Sequence, residues 1–209
     1  MPVHGTRPIV FVVDDDNDVR AGLKALLDSL DMRCEVFRST REFLQYKMPE
    51  EPSCLILDVR LPGASGLELQ HELAAAQIKI PIIFISGHGD IPMTVKAMNA
   101  GAVGFFTKPV HEQELLDSIY VALDRDAARR DKELGLREMR NRYEMLSPRE
   151  REVMAMVTAG LLNKQAAAEI GLSEVTVKFH RHNVMKKLRV KSLPELVRIA
   201  DALGIGHKK

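Results

Sequence analysis

Three consecutive carboxylates, Asp14, Asp15 and Asp16, a fourth at Asp58, a hydroxyl at Ser86 and an amine at Lys108 are the side chains of this 209-residue chain best suited to joint chemistry. Two or three carboxylates packed together repel, and stay ionised only if a cation joins them. Oxygen donors without histidine or cysteine favour a hard ion, Mg²⁺ first. A lysine beside such acids can neutralise them or hold an incoming phosphoryl oxygen, and an aspartate carboxylate is a competent nucleophile towards phosphorus. Asp16 and Asp18 are more simply read as helix-capping groups.

These groups matter together only if the fold gathers them. Short, continuous apolar runs occur at Ile9–Val13, 34–37, 54–57, 82–85 and 103–106, as buried parallel strands read. Helical patterns lie between them: Val19, Leu23, Leu26, Leu27 and Leu30 recur at spacings of three and four. Ser39 with Glu42, and Ser65 with Glu68, have the spacing of capping boxes, and Gly101 stands where a helix would stop. Five strands alternating with helices predict an α/β fold, a doubly wound five-stranded parallel sheet covered on both faces. Asp14 to Asp16 then follow the first strand, Asp58 the third, Ser86 ends the fourth and Lys108 lies just past the fifth. Ligands bind at the carboxyl ends of strands in such sheets, and the order 2-1-3-4-5 makes strands one, three, four and five neighbours. The four groups should therefore share one small pocket.

The rest of the chain differs in charge and pattern. Residues 1–123 carry a net charge of −6, whereas residues 143–209 carry +5, within an overall +1. An acidic front and a basic back imply two domains with different partners. Residues 124–142 are charged, poor in apolar side chains and free of proline; they read as a continuation of the last helix of the first domain or as a solvated linker, with Gly135 the weak point of a continuous helix. Ser147, Pro148 and Glu150 then open a second domain as cap, first helical residue and capping-box acid. Four short helices are predicted at 148–158, 163–170, 174–188 and 193–203, with Ser192 and Glu195 as another capping box. A basic all-α unit of this size reads as a recognition module. In its third helix Val177, His180, Val184 and Leu188 form one face, and Val175, Lys178, Phe179, His182 and Lys186 the other, with Asn183 at the margin. A DNA major groove uses both kinds of exposed group, apolar ones on thymine methyls and lysines on phosphates.

Residues 9–123 resemble a response-regulator receiver domain through the motifs VVDDD, LILDVRLPGASG, ISGHGD and FFTKP. The segment GHGDIPMTVKAMNAGAV, with the second domain, is similar to the FixJ subfamily. NKQAAAEIGLS and TVKFHRHNVMKKL resemble the scaffold and recognition helices of a LuxR-type helix-turn-helix, although Ala166 stands where a larger aliphatic is usual. The resemblance implies Asp58 as phosphoacceptor; Asp15, Asp58 and the Arg60 carbonyl as Mg²⁺ ligands supported by Asp14; Ser86 and Lys108 as partners of the phosphoryl group; and Phe105 as a switch residue. It implies a cis Lys108–Pro109 bond, and Thr176, Lys178, Phe179, His182, Asn183 and Lys186 as DNA-contacting residues.

The reading that follows is a transcriptional regulator with a receiver at 1–123, a helical linker at 124–142 and a DNA-binding domain at 143–209. A sensor histidine kinase would phosphorylate it; it would then dimerise through the receiver and bind promoter DNA, with RNA polymerase as a further partner. Two alternatives stand beside it. An aspartate-nucleophile phosphohydrolase would need a second acid two residues beyond Asp58, where Arg60 stands, so the chain is expected not to be an enzyme. A regulator independent of phosphorylation would leave the Asp, Ser and Lys set without a role. No run of about 18 apolar residues exists to span a membrane. Residues 1–8 show no secretory pattern, and Cys34 and Cys54 without a CxxC motif fit reduced thiols, a cytoplasmic expectation.

Overall fold

The computed structural model describes residues 7–87 and 91–205. The chain falls into two compact units, residues 1–130 and 131–209. In the first, strands β1 (Ile9–Val13), β2 (Arg33–Phe37), β3 (Ser53–Asp58), β6 (Ile82–Ser86) and β7 (Gly104–Thr107) form one sheet in the order β2-β1-β3-β6-β7. All its pairings are parallel. A two-residue hairpin, β4 (Arg60–Leu61) and β5 (Ala64–Ser65), lies between β3 and the helix that follows.

Alternation along β1 explains the two layers. Ile9, Phe11 and Val13 enter a core completed by Phe43 of α2 (Thr40–Gln45), Leu69 and Leu73 of α3 (Gly66–Ala75) and Ala97 of α4 (Ile91–Asn99). Val10 and Val12 enter the opposite core with Leu27 of α1 (Asn17–Ser29) and Leu115 and Ile119 of α5 (Glu112–Glu144). Each Val, Leu, Ile or Phe side chain so buried contributes about 1.5–3 kcal/mol. Cys34 and Cys54 sit in this second core as free thiols, one on each side of Val10 in register.

Helix starts follow the capping signals, with two differences. At Ser65 and Ser147 the box closes: the acid three residues on accepts from the serine amide, at 2.9 Å for Glu68 and 2.8 Å for Glu150. At Ser39 and Ser192 the hydroxyl accepts from the Glu42 and Glu195 amides, but those carboxylates take the amides of Arg38 and Lys191, one residue earlier. The Glu42 carboxylate is drawn there by the Arg38 guanidinium at 2.7 Å. Gly101, past the end of α4, has φ +92°, the conformation glycine adopts without a Cβ penalty.

Helix α5 runs through Gly135 unbroken. On its first-unit part, the fully buried Asp126 accepts from the Ser53 amide at 2.9 Å and from the guanidinium groups of Arg129 and Arg130 at 2.6 Å each. Arg130 also donates to the carbonyls of Pro49 and Glu50. The second unit contains the end of α5 and helices α6 (Pro148–Thr158), α7 (Asn163–Ile170), α8 (Glu174–Leu188) and α9 (Leu193–Leu203) around a core of Leu146, Val153, Met154, Val177, Val184 and Leu196. Ala166 is fully buried there, and Met139 and Tyr143 of α5 pack against the same core.

Candidate functional site

Strand register assembles the acidic pocket. Val13 pairs with Leu57, Asp58 with Ile85 and Ser86 with Thr107, so Asp14, Asp58, Ser86 and Lys108 leave four adjacent strands within two residues of one level. Backbone pairing continues past β7, where the Lys108 amide donates to the Ser86 carbonyl at 2.8 Å. The Lys108–Pro109 bond is cis.

Lys108 Nζ donates to Asp14 Oδ2 at 2.7 Å and to Asp58 Oδ2 at 2.8 Å. The other oxygens of these acids are also engaged: Asp14 Oδ1 accepts from the Asp16 amide at 2.9 Å, and Asp58 Oδ1 from the Arg60 amide at 3.0 Å. Burial pushes the Asp14 carboxyl above its ordinary range, against the opposing pull of Lys108 and the Asp16 amide. Burial alone would lower the Lys108 pKa, but its two carboxylate partners outweigh that and hold the ammonium above its ordinary value. Asp15 is exposed, and it offers a carboxylate oxygen that lies, with those of Asp14 and Asp58, in a group spanning no more than 4.8 Å. Ser86 is fully buried, and the half-buried Phe105 ring lies 6.2 Å from Phe84. Asp16 is not part of the cluster; it caps α1, accepting from the Asp18 and Val19 amides.

Two positioning residues were not legible as such. A Cβ on Gly66 would come within 2.3 Å of the Asp58 carbonyl oxygen, so the chain can fold back over the carboxyl end of β3 only with glycine there. Arg20 donates to the Asp14 carbonyl at 2.6 Å. The LPGASG motif contains the first signal, though nothing in it tells which glycine meets backbone; the second depends on tertiary placement. His88, Gly89 and Asp90 of the ISGHGD motif lie outside the described residues.

On α8 the two faces separate. Val177, Val184 and Leu188 are buried and His180 is half-buried, whereas Lys178, Phe179, His182 and Lys186 are exposed, with Thr176 and Asn183 intermediate. The Thr176 hydroxyl is 2.8 Å from that of Ser173, the cap of α8. Lys178 pairs with Glu174 one turn earlier at 3.1 Å. Arg181 donates to Asn163 at 3.3 Å, tying α8 to the start of α7. Lys187 points back to the buried Glu150 carboxylate at 2.6 Å, so it belongs to the scaffold.

The family described as "Response regulator receiver domain" matches residues 10–120, and "Bacterial regulatory proteins, luxR family" matches residues 144–200. The chain belongs to the response regulators, with a receiver and a LuxR-type DNA-binding domain on one polypeptide. It is 54% identical over 200 residues to nodulation protein W of Bradyrhizobium diazoefficiens, covering 96% of this chain and 88% of that one. It is 40% identical to the transcriptional regulatory protein FixJ of Rhizobium meliloti, covering 94% of this chain and 97% of the relative. Among solved structures, the response regulator StyR superposes with a TM-score of 0.85 at 49% identity, covering 93% of this chain and 98% of that one. Full-length FixJ of B. japonicum gives 0.56 at 37% identity, covering 97% of this chain and 100% of the other. Of these relatives, FixJ is named a transcriptional regulatory protein and StyR a response regulator, and phosphorylation by a kinase is the standard input of response regulators. No helix among the described residues is long and apolar enough to cross a membrane.

Proposed function

We propose that Asp58 is the phosphoacceptor, and that its phosphorylation by a sensor histidine kinase drives receiver dimerisation and promoter binding by α8. The observation that carries this reading is the Lys108 ammonium held between Asp14 and Asp58, at 2.7 and 2.8 Å, beside the exposed Asp15. An all-oxygen group of this span suits a hard divalent ion, so Asp14, Asp15 and Asp58, with the Arg60 carbonyl, would hold Mg²⁺. When bound, that ion supplies neutralising charge for the phosphoryl oxygens.

Attack of an Asp58 carboxylate oxygen on the phosphorus of a phosphohistidine forms the O–P bond and breaks the N–P bond. The electron pair leaves with the imidazole nitrogen, which takes up a proton. Lys108 then pairs with a phosphoryl oxygen in place of the Asp58 carboxylate, and the Ser86 hydroxyl donates to another. The product adds about −1.5 to −2 charge to a pocket at the carboxyl ends of four adjacent strands. Movement of Ser86 towards it opens room for Phe105, which carries the change to the receiver surface where two copies associate. Dimerisation presents two copies of α8 to two half-sites. There Lys178, Phe179 and His182 meet base edges, Lys186, Thr176 and Asn183 lie towards the backbone, and RNA polymerase is the partner at the promoter. A phosphohydrolase reading lacks support because Arg60, two residues past Asp58, cannot act as general acid.

Incubation with a small phosphodonor and Mg²⁺ tests the assignment. Asp58→Asn should abolish acid-labile labelling, and Asp15→Asn should slow it and weaken its Mg²⁺ dependence. Labelling of Asp58→Asn at the wild-type rate, mapped to another aspartate, would overturn it.

A further inference from the structure

Two apolar side chains stand out on a basic surface. Val175 is 76% exposed and Phe179 62% exposed, four residues apart on one face of α8. That spacing puts their Cα atoms about 6 Å apart along the helix axis. The neighbouring row, Glu174 and Lys178, is charged and internally paired, and Lys186 lies further along the helix. Among the described residues, the Phe179 ring has one aromatic neighbour, His180 on its own helix, at 5.9 Å. Neither apolar chain contributes to the core of the second unit. Both lie in the amino-terminal half of α8, the part of a recognition helix that meets base edges.

Charge complementarity decides what covers them. Residues 143–209 carry +5, which favours a polyanion, and the only strongly apolar group in a major groove is the thymine C5-methyl. Resting on the reading of α8 as the DNA-contacting helix, we infer that Val175 and Phe179 together are specificity-determining residues that read a pair of thymine methyls. An axial separation of about 6 Å spans no more than two base-pair rises of 3.4 Å. The two thymines therefore stand within two steps of each other in each half-site. Val175 was not among the contacts implied by the helix-turn-helix resemblance, although the helix periodicity places it on this face; its 76% exposure agrees with that placement.

The test uses the full chain, activated with beryllofluoride and Mg²⁺, to select duplexes from a random library. The selected duplex is then remade with deoxyuridine at each thymine in turn, which deletes one methyl and nothing else. Wild-type affinity should fall roughly fourfold at each of two nearby thymines, the worth of one buried methyl. Val175→Ala should bind the thymine duplex about fourfold more weakly and lose its sensitivity to uridine at one position, and Phe179→Ala at the other. Both side chains are exposed, so thermal unfolding should match wild type; Val175→Thr, which trades one methyl for a hydroxyl at constant shape, is the companion variant. Sequence-selective binding that ignores uridine everywhere, or variants that keep the wild-type pattern, would overturn this inference and leave α8 as the DNA helix. A change of monomer–dimer equilibrium in these variants without DNA, with unchanged base preference, would assign the patch to a second copy instead. Absence of any selected sequence and of salt-dependent binding would defeat the α8 reading itself.

Discussion

Lys108 stands between two acids, one of them fully buried, and so carries a structural duty beside the chemical one proposed for it. Without its ammonium, the Asp14 and Asp58 carboxylates would each lose the ion-pair partner they have among the described residues. Lys108→Ala should therefore destabilise the receiver unit by about 3 kcal/mol in metal-free buffer at neutral pH. Added Mg²⁺ should restore more stability to the variant than it adds to wild type. Calorimetry with and without Mg²⁺ checks both statements, and a variant as stable as wild type in EDTA would contradict them. At this scale the sequence was informative where a residue type and a strand end coincided, as for Asp58 and Lys108. It was silent on Arg20, whose acceptor is a backbone carbonyl, because any residue could supply one. It was also silent on the Glu174–Lys178 pair, since a helix periodicity used to sort core from surface does not weigh partners along the surface itself.

The elements of the second unit were legible because each helix opens on a serine cap or a break and closes on a turn signal, and the four expected helices coincide with α6 to α9. Glu150 shows what one such cap supports. Burial by itself would raise its pKa, but Lys187 at 2.6 Å and the Ser147 amide outweigh that and hold the carboxyl below its ordinary range. The unfolded chain, with an ordinary value of about 4.3, takes up the proton first as pH falls. The stabilisation is thus complete above that value and is lost as pH drops through the lower folded value. Glu150→Gln should unfold more easily at pH 7 by about 2 kcal/mol, and its melting curve should converge with wild type as the pH falls below the ordinary glutamate range. Circular dichroism across that range measures it. The network on Asp126 could not be read in advance: its arginines are three and four residues away, but the Ser53 amide it accepts from is 73 residues distant in sequence.

At the scale of the whole molecule, the charge asymmetry foretold two units but not where they divide. Residues 124–142 were open between helix and flexible linker; α5 continues as helix to Glu144, and the second compact unit begins at Asp131. Met139 and Tyr143 pack on its core, and the Arg151 guanidinium lies 5.1 Å from the centre of the Tyr143 ring. Composition could not disclose this, because so few apolar residues mark the contacting side of that helix. A fragment of residues 131–209 should accordingly melt at least about 5 °C above one of residues 143–209. Both should bind duplex DNA with an affinity that falls steeply with salt, by a slope of roughly −0.9 for each phosphate neutralised. Equal melting temperatures would show that the α5 turn adds nothing to the second unit.

The paired thiols flanking Val10 give the receiver a built-in chronometer. Alkylating reagents attack thiolate, and burial pushes Cys34 up to about 11 and Cys54 higher still. Both should react mainly when the sheet parts around them. Cys34 lies on β2, the outermost strand beside β1, while Cys54 lies on the central β3. Iodoacetamide uptake at Cys34 then times the peeling of one border strand, and uptake at Cys54 times the rupture of the whole sheet. Identical half-lives would mean that the sheet parts in a single event; a long lag at Cys54 would measure how far the border frays while the acidic pocket stays intact.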